Sequence, residues 1–180
     1  MGITYTQPTD PGLLDPEELA RHLSSTIRSA VPWLVTLSNA DASLPEREGK
    51  WSAKEVIGHL TDSAINNLTR MVRMQIAFEH MPGYAQDSWV AVQHYHNREW
   101  AEVLALWFAL NEHIVWTIRH IPHASLANQG AVAGSPLTLG FLIEDYIAHM
   151  QHHLRNMRSW VHPGEIVDDS SAEPGQRLGQ

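Results

Sequence analysis

His149 and His153 stand four residues apart in the stretch from Leu137 to Trp160, and their spacing is the first thing in the chain that could do chemistry. Leu139, Leu142, Tyr146, His149, His153, Met157 and Trp160 step by three or four residues, so at helical period they form one stripe. Both imidazoles are therefore predicted on the buried face of a helix. A buried polar group without a partner costs roughly 1–3 kcal/mol. Side chains at i and i+4 lie about 5–6 Å apart, close enough for two ring nitrogens to meet one ion. The alternative is a pair of core histidines bonded to backbone or neighbouring side chains. A third ligand from elsewhere would distinguish the two.

The chain has 12 histidines, and most are poor candidates. His113 and His120 share a helix face but stand two turns, about 10.5 Å, apart. His94 and His96 fall in a connection, and His22, His80, His123 and His162 occupy exposed or terminal positions. His152 falls in line with Asp145, Ala148 and Arg155, off the apolar stripe. His59, between Val56 and Leu60, remains. It lies about seven residues, or ~10 Å, into its own helix, and His153 about nine residues, or ~13 Å, from the end of the last. If those helices are antiparallel, the three imidazoles share a level. If they are parallel, they differ in height by roughly 15 Å and cannot share an ion. A three-histidine site thus requires that helices two and three run parallel, which is up-down-down-up order.

The elements that would position these groups are four long amphipathic helices. Asp15-Pro16-Glu17-Glu18 supplies an N-cap, a first-turn proline and acidic residues at the positive end of a helix dipole. That helix is expected to run to about residue 37, with Pro32 kinking it or ending a first segment. Ser52-Ala-Lys-Glu55 is a capping box with Trp51 placed as a hydrophobic staple toward Val56. The second helix is expected to reach Met81, with Met74 and Phe78 inward, and to stop at Pro82-Gly83. Residues 82–96 form a long connection with room for a helical turn, and residues 97–121 a third helix. Residues 123–135 read as a loop, and Ser135-Pro136 caps a fourth helix ending near Val161. The expected fold is an all-α four-helix bundle over residues 1–162, with no strand and with a disordered polar tail over 163–180. The 15-residue connection can extend about 50 Å, enough to travel back along a ~40 Å helix between two parallel neighbours.

Bulk composition narrows the functions. A chain of 180 residues with 43% apolar residues, seven Trp and six Met has material for one core. A formal net charge of −8 argues against nucleic acid or an anionic membrane surface as partner. With no cysteine, any metal must be held by His and carboxylates. No apolar run reaches the ~18–20 residues that cross a bilayer, and the first residues lack signal-peptide character, so a cytoplasmic location is expected.

Trp51-Ser-Ala-Lys-Glu-Val-Ile-Gly-His59-Leu-Thr-Asp62, followed some ninety residues later by Asp145-Tyr-Ile-Ala-His149-Met-Gln-His152-His153-Leu, resembles the DinB/YfiT-like superfamily of metalloenzymes. The resemblance extends in helix order and loop lengths to about residue 162. It implies a divalent metal, zinc or nickel, held by His59, His149 and His153 in an up-down-down-up bundle that is often a homodimer. It also implies relatives that act as transferases or isomerases on low-molecular-weight thiols.

Three imidazoles leave a coordination position open, as catalytic rather than structural sites do. The expected activity is therefore that of a metal-dependent transferase or hydrolase on a small molecule, with a thiol or water as the activated group. Ser63, Asn66 and Arg70 form a polar edge beside His59 that would line the substrate cleft, and Trp89, with Tyr84, would close it from the long connection. Asp62 and Asp145 could orient imidazoles as outer partners or be plain solvated carboxylates. Two rival readings stay open: a non-catalytic metal-binding or stress-related protein, and a helical dimerisation domain with hydrogen-bonded histidines.

Overall fold

The computed structural model describes residues 9–162, so the polar tail expected over 163–180 lies outside the described residues. Four long helices dominate: α1 (Pro16–Leu34), α2 (Ala53–Ile76), α4 (Trp100–Arg119) and α5 (Leu139–Val161), with a short α3 (Gln86–Gln93) in the long connection. Their starts follow local chemistry. Asp15 caps α1 by accepting from the Glu17 amide, with Pro16 at the first turn. The α2 capping box closes both ways: the Ser52 amide donates to Glu55 Oε2 at 2.8 Å, and the Glu55 amide to Ser52 Oγ at 3.4 Å. Thr138 caps α5 by accepting from the Phe141 amide at 3.2 Å.

Apolar stripes from all four helices meet in one core that includes Leu23, Ile27, Leu60, Met71, Trp107, Ile114 and Ile143. Burying each such side chain is worth about 1.5–3 kcal/mol. Contacts at the helix ends show how they are laid together. At one end of α1, Glu17 accepts from Arg119 at the end of α4; at the other, Leu34 accepts through its carbonyl from the Trp100 indole at 3.1 Å. Asn128 donates to the Met74 carbonyl near the end of α2 at 2.9 Å, and its own carbonyl accepts from the Leu139 amide that begins α5 at 2.8 Å. The end of α2 thus meets the start of α5, as a shared imidazole level requires.

Three expectations need correction. A small sheet is present, with β1 (His80–Met81), β2 (Gln129–Val132) and β3 (Ser135–Thr138) in the order β1-β2-β3. β1 pairs parallel with β2, and β2 antiparallel with β3. The hairpin turns on Ala133 and Gly134, both at positive φ (50° and 84°), which matches the twist of the strands it joins. For this reason residues 123–135 are not plain loop and α5 begins at Leu139 rather than at Pro136. Secondly, α2 stops at Ile76, because the chain must turn out to place His80 and Met81 beside β2; Phe78, expected inside, is 55% exposed. Thirdly, α1 passes through Pro32 and ends two residues later at Leu34, within the last turn, and α4 is trimmed to Trp100–Arg119.

One close approach next to the site fixes the long connection. The Tyr95 ring lies over Gly58, where a Cβ would fall 2.2 Å from a ring carbon. His94, in the left-handed region at φ 52°, turns the chain out of α3 so that Tyr95 points there. Among the described residues no helix is long and apolar enough to cross a membrane.

Candidate metal centre

α2 supplies His59, which is 1% exposed, and α5 supplies the half-buried His149 and His153 one turn apart. One ring nitrogen from each lies within 4.8 Å of the others. His59 Nε2 and His149 Nε2 face each other at 3.2 Å, and the ring centroids are 4.6–5.1 Å apart. A tetrahedral ion with metal–nitrogen bonds of about 2.0–2.1 Å separates its donors by about 3.3 Å, so the facing pair already has the spacing of two ligands.

The electrostatics favour the ligating form. Burial first, and the neighbouring imidazoles second, lower each of the three from 6.5 to about 4. At neutral pH all three are uncharged, each with a lone pair to give. The other nitrogen of His59, Nδ1, is buried without a hydrogen-bond partner. Each neutral ring keeps one N–H and offers one lone pair; with the N–H on the nitrogen away from the cluster, three lone pairs converge, and the residues present fit a divalent cation.

Two depressions adjoin it. The outer one, about 400 Å³, is lined by Trp51, Val56, Gln86, His153 and Trp160. The Trp51 ring lies 5.1 Å from that of His59, so the residue read from sequence as a helix staple also walls the cluster. The inner cavity, about 200 Å³, lies between α2 and α5 and is floored by Val132 and Leu137 of the hairpin. His59, His149, Ser63, Asn67, Arg70, Tyr84 and Asp145 face it.

Of the residues predicted to line the cleft, Ser63 and Arg70 do so; Asn66 and Trp89 do not. At 100° per residue, Ser63 and Asn67 lie on one flank of the His59–Arg70 line and Asn66 on the other, and the cavity opens on the first. Asn66 instead donates to the Asp62 carbonyl at 2.8 Å, and Asn67 takes its place. Trp89 packs on Tyr84 at 5.0 Å between ring centroids, and it is Tyr84 that reaches the cavity. Arg70, which the polar pattern alone would place in solvent, is 9% exposed.

The two carboxylates part company. Asp62 is 0% exposed, and its Oδ1 accepts from the Tyr95 hydroxyl at 2.7 Å and from Gln93, while Oδ2 has no partner. It is neither solvated nor bonded to an imidazole. Asp145 lies one turn before His149, opens on the cavity, and has no hydrogen-bond or ion-pair partner among the described residues. Burial holds its carboxyl above the usual range. Gln93 and Tyr95 escaped sequence reasoning because nothing local marks them; their role follows from the path of the long connection.

A mostly helical chain with three neutral imidazoles convergent between two long helices defines a class: helical bundles that present a histidine cluster to a cavity. The family model of the DinB superfamily matches residues 15–157, and the chain belongs to that superfamily. Among solved structures it is similar to YfiT from Bacillus subtilis, described as a probable metal-dependent hydrolase with an unusual four-helix bundle topology. The TM-score is 0.70 at 15% identity, over 86% of this chain and 91% of that one, a likeness of fold. Comparison with curated proteins finds no match.

Proposed function

We propose that the chain is a metal-dependent enzyme in which His59, His149 and His153 hold a divalent ion, zinc or nickel, and which acts on a small molecule as a hydrolase or as a transferase using a low-molecular-weight thiol. The observation that carries this reading is the pair of Nε2 atoms 3.2 Å apart in a cluster of three uncharged imidazoles, each with one ring nitrogen free of a proton. The description of YfiT as a probable metal-dependent hydrolase supports the hydrolytic branch. The end-to-end contacts of α2 with α5 and of α1 with α4 support up-down-down-up order, the arrangement that lets the three imidazoles share a level.

When bound, such an ion acidifies water or a thiol, so that a nucleophile is available at neutral pH. The protein's own groups supply the rest. Asp145 faces the cavity beside His149 with no competing partner and accepts a proton there; burial moves its carboxyl toward the range in which a general base works near neutrality. Ser63 and Tyr84, side by side on the cavity, present hydroxyls that orient a substrate. Trp51 and Trp160 narrow the outer mouth and limit water.

Elemental analysis of tag-free protein, wild type beside His149→Ala, tests the reading. About one ion per chain, lost in the variant while the helical fold persists, is expected; the wild type should then turn over esters or amides, or transfer a thiol, and the variant should not. A wild type that holds no metal and whose folding ignores added zinc or nickel overturns it.

A further inference from the structure

The inner cavity has a second pole. Arg70 on α2 lies eleven residues beyond His59, a rise of about 16 Å along the helix, and its guanidinium is buried at the far end. Of its five N–H donors, one goes to Asn67 Oδ1 at 3.4 Å and one to the Pro82 carbonyl at 3.0 Å. Both acceptors are neutral. No carboxylate among the described residues forms an ion pair with it; the four pairs seen involve Arg21, Arg73, Arg98 and Arg119. A guanidinium stays charged in proteins, and a buried charge without a counter-ion is costly, so this end of the cavity lacks an anion that none of the described residues provides.

We propose that the inner cavity binds a small carboxylic acid, its carboxylate paired with Arg70 and its carbon chain directed toward the histidine cluster; the direction of the chain rests on the metal-enzyme reading. The guanidinium has three N–H groups left, enough for the two-pronged pairing a planar carboxylate takes. The Tyr84 hydroxyl, beside both Ser63 and Arg70, offers a further polar contact. Charge selects a monoanion. Among the described residues Arg70 is the one cationic side chain facing this cavity and Asp145 faces it as a carboxylate, so a phosphate dianion would put its second charge against no cation they supply. Size selects a short chain, because about 200 Å³ corresponds to roughly six or seven waters at ~30 Å³ each. Val132, Leu137 and Leu142 supply an apolar wall for the few carbons beyond the carboxylate.

The test is calorimetric binding of butyrate, its uncharged isostere butyramide, and inorganic phosphate to the full chain. It is run on protein as purified, with metal content measured on the same sample, and again after chelation. Butyrate is expected to bind the wild type at least about tenfold more tightly than butyramide or phosphate, before and after chelation, a difference of about 1.4 kcal/mol. Arg70→Gln should bring butyrate down to the butyramide level, and Arg70→Lys, which keeps the charge but loses the fork, should retain part of the preference. Should the Gln variant fail to fold, the wild-type ratio and the Lys variant still decide. Equal binding of butyrate and butyramide, preference for phosphate, or butyrate binding unchanged in the Arg70 variants overturns the proposal. Arg70-dependent binding in a protein that holds no metal sinks the metal-enzyme reading and leaves the carboxylate site. A full complement of metal without Arg70-dependent binding does the reverse.

Discussion

His59 and Asp62 stand three residues apart on α2, both almost without exposure, and the polar clusters they lead are built in opposite senses. Around Asp62 an acceptor meets donors: Tyr95 and Gln93 both reach Oδ1, and the ring that carries one donor is seated on Gly58. Around His59 three like groups meet one another, with two Nε2 atoms at 3.2 Å and a third imidazole beside them. The first cluster largely satisfies itself and thereby fixes the long connection to α2. The second is held uncharged by burial, each ring keeping one N–H and one open lone pair. A buried polar cluster that answers its own needs is scaffold, and one that does not is where an outside partner belongs.

The largest effect follows directly. Added zinc or nickel should raise the thermal midpoint of metal-free protein, because an ion that binds the folded state alone adds about 4 kcal/mol when present at a thousand times its dissociation constant. His149→Ala should abolish the shift. Asp62→Asn, in the other cluster, should keep it. A loss of the shift in the Asp62 variant would join the two clusters and break the contrast.

Acidification should likewise act chiefly on the histidine side. Each folded imidazole sits at about 4 against 6.5 when exposed, so between these values the unfolded chain binds more protons. Stability of the metal-free protein should therefore be fully present above pH 6.5 and fall as pH drops toward 4. Urea midpoints across that window measure it. His59→Ala should flatten the slope, and an unchanged slope would mean that the imidazoles are not held neutral by the fold.

How much of this was legible in the sequence depends on whether the signal was local. Asp15-Pro16 and the Ser52/Glu55 box mark helix starts because caps act within one turn, and helical rise puts His59 level with His149 and His153 once their helices are antiparallel, the order that the length of the long connection allows. The strands were not legible. β2 and β3 have four residues each, and their Ala133-Gly134 turn lacks the Asn-Gly signature, so no periodicity announces them. Their presence shortened α2 and turned Phe78 outward against an unbroken apolar pattern. Arg70 and Asp62 read as a wet edge because a charged residue on a helix flank is usually exposed; only the connection folding back over α2, with Pro82 on Arg70 and Tyr95 on Asp62, buries them.

The smallest expected effect tests whether the Asp62 cluster is scaffold alone. Tyr95→Phe keeps the ring over Gly58 and removes one of the two donors to Oδ1, leaving Gln93. The Tyr95 phenol is held protonated by burial and by its bond to Asp62, so it is a donor at any pH at which the protein is folded. Its loss should cost about 1 kcal/mol at neutral pH, read as a lower urea midpoint with an unchanged slope. The cost should also depend on pH. Burial already raises the Asp62 carboxyl above 3.8 while the Tyr95 bond holds it down, so without the hydroxyl it rises further. The raised carboxyl withholds stability once pH exceeds the unfolded value, and the variant should suffer more above pH 3.8 than below it. Metal affinity should stay within twofold of wild type. A tenfold fall in affinity would show that the hydroxyl steadies His59 through α2, and the two clusters would then have to be treated as one.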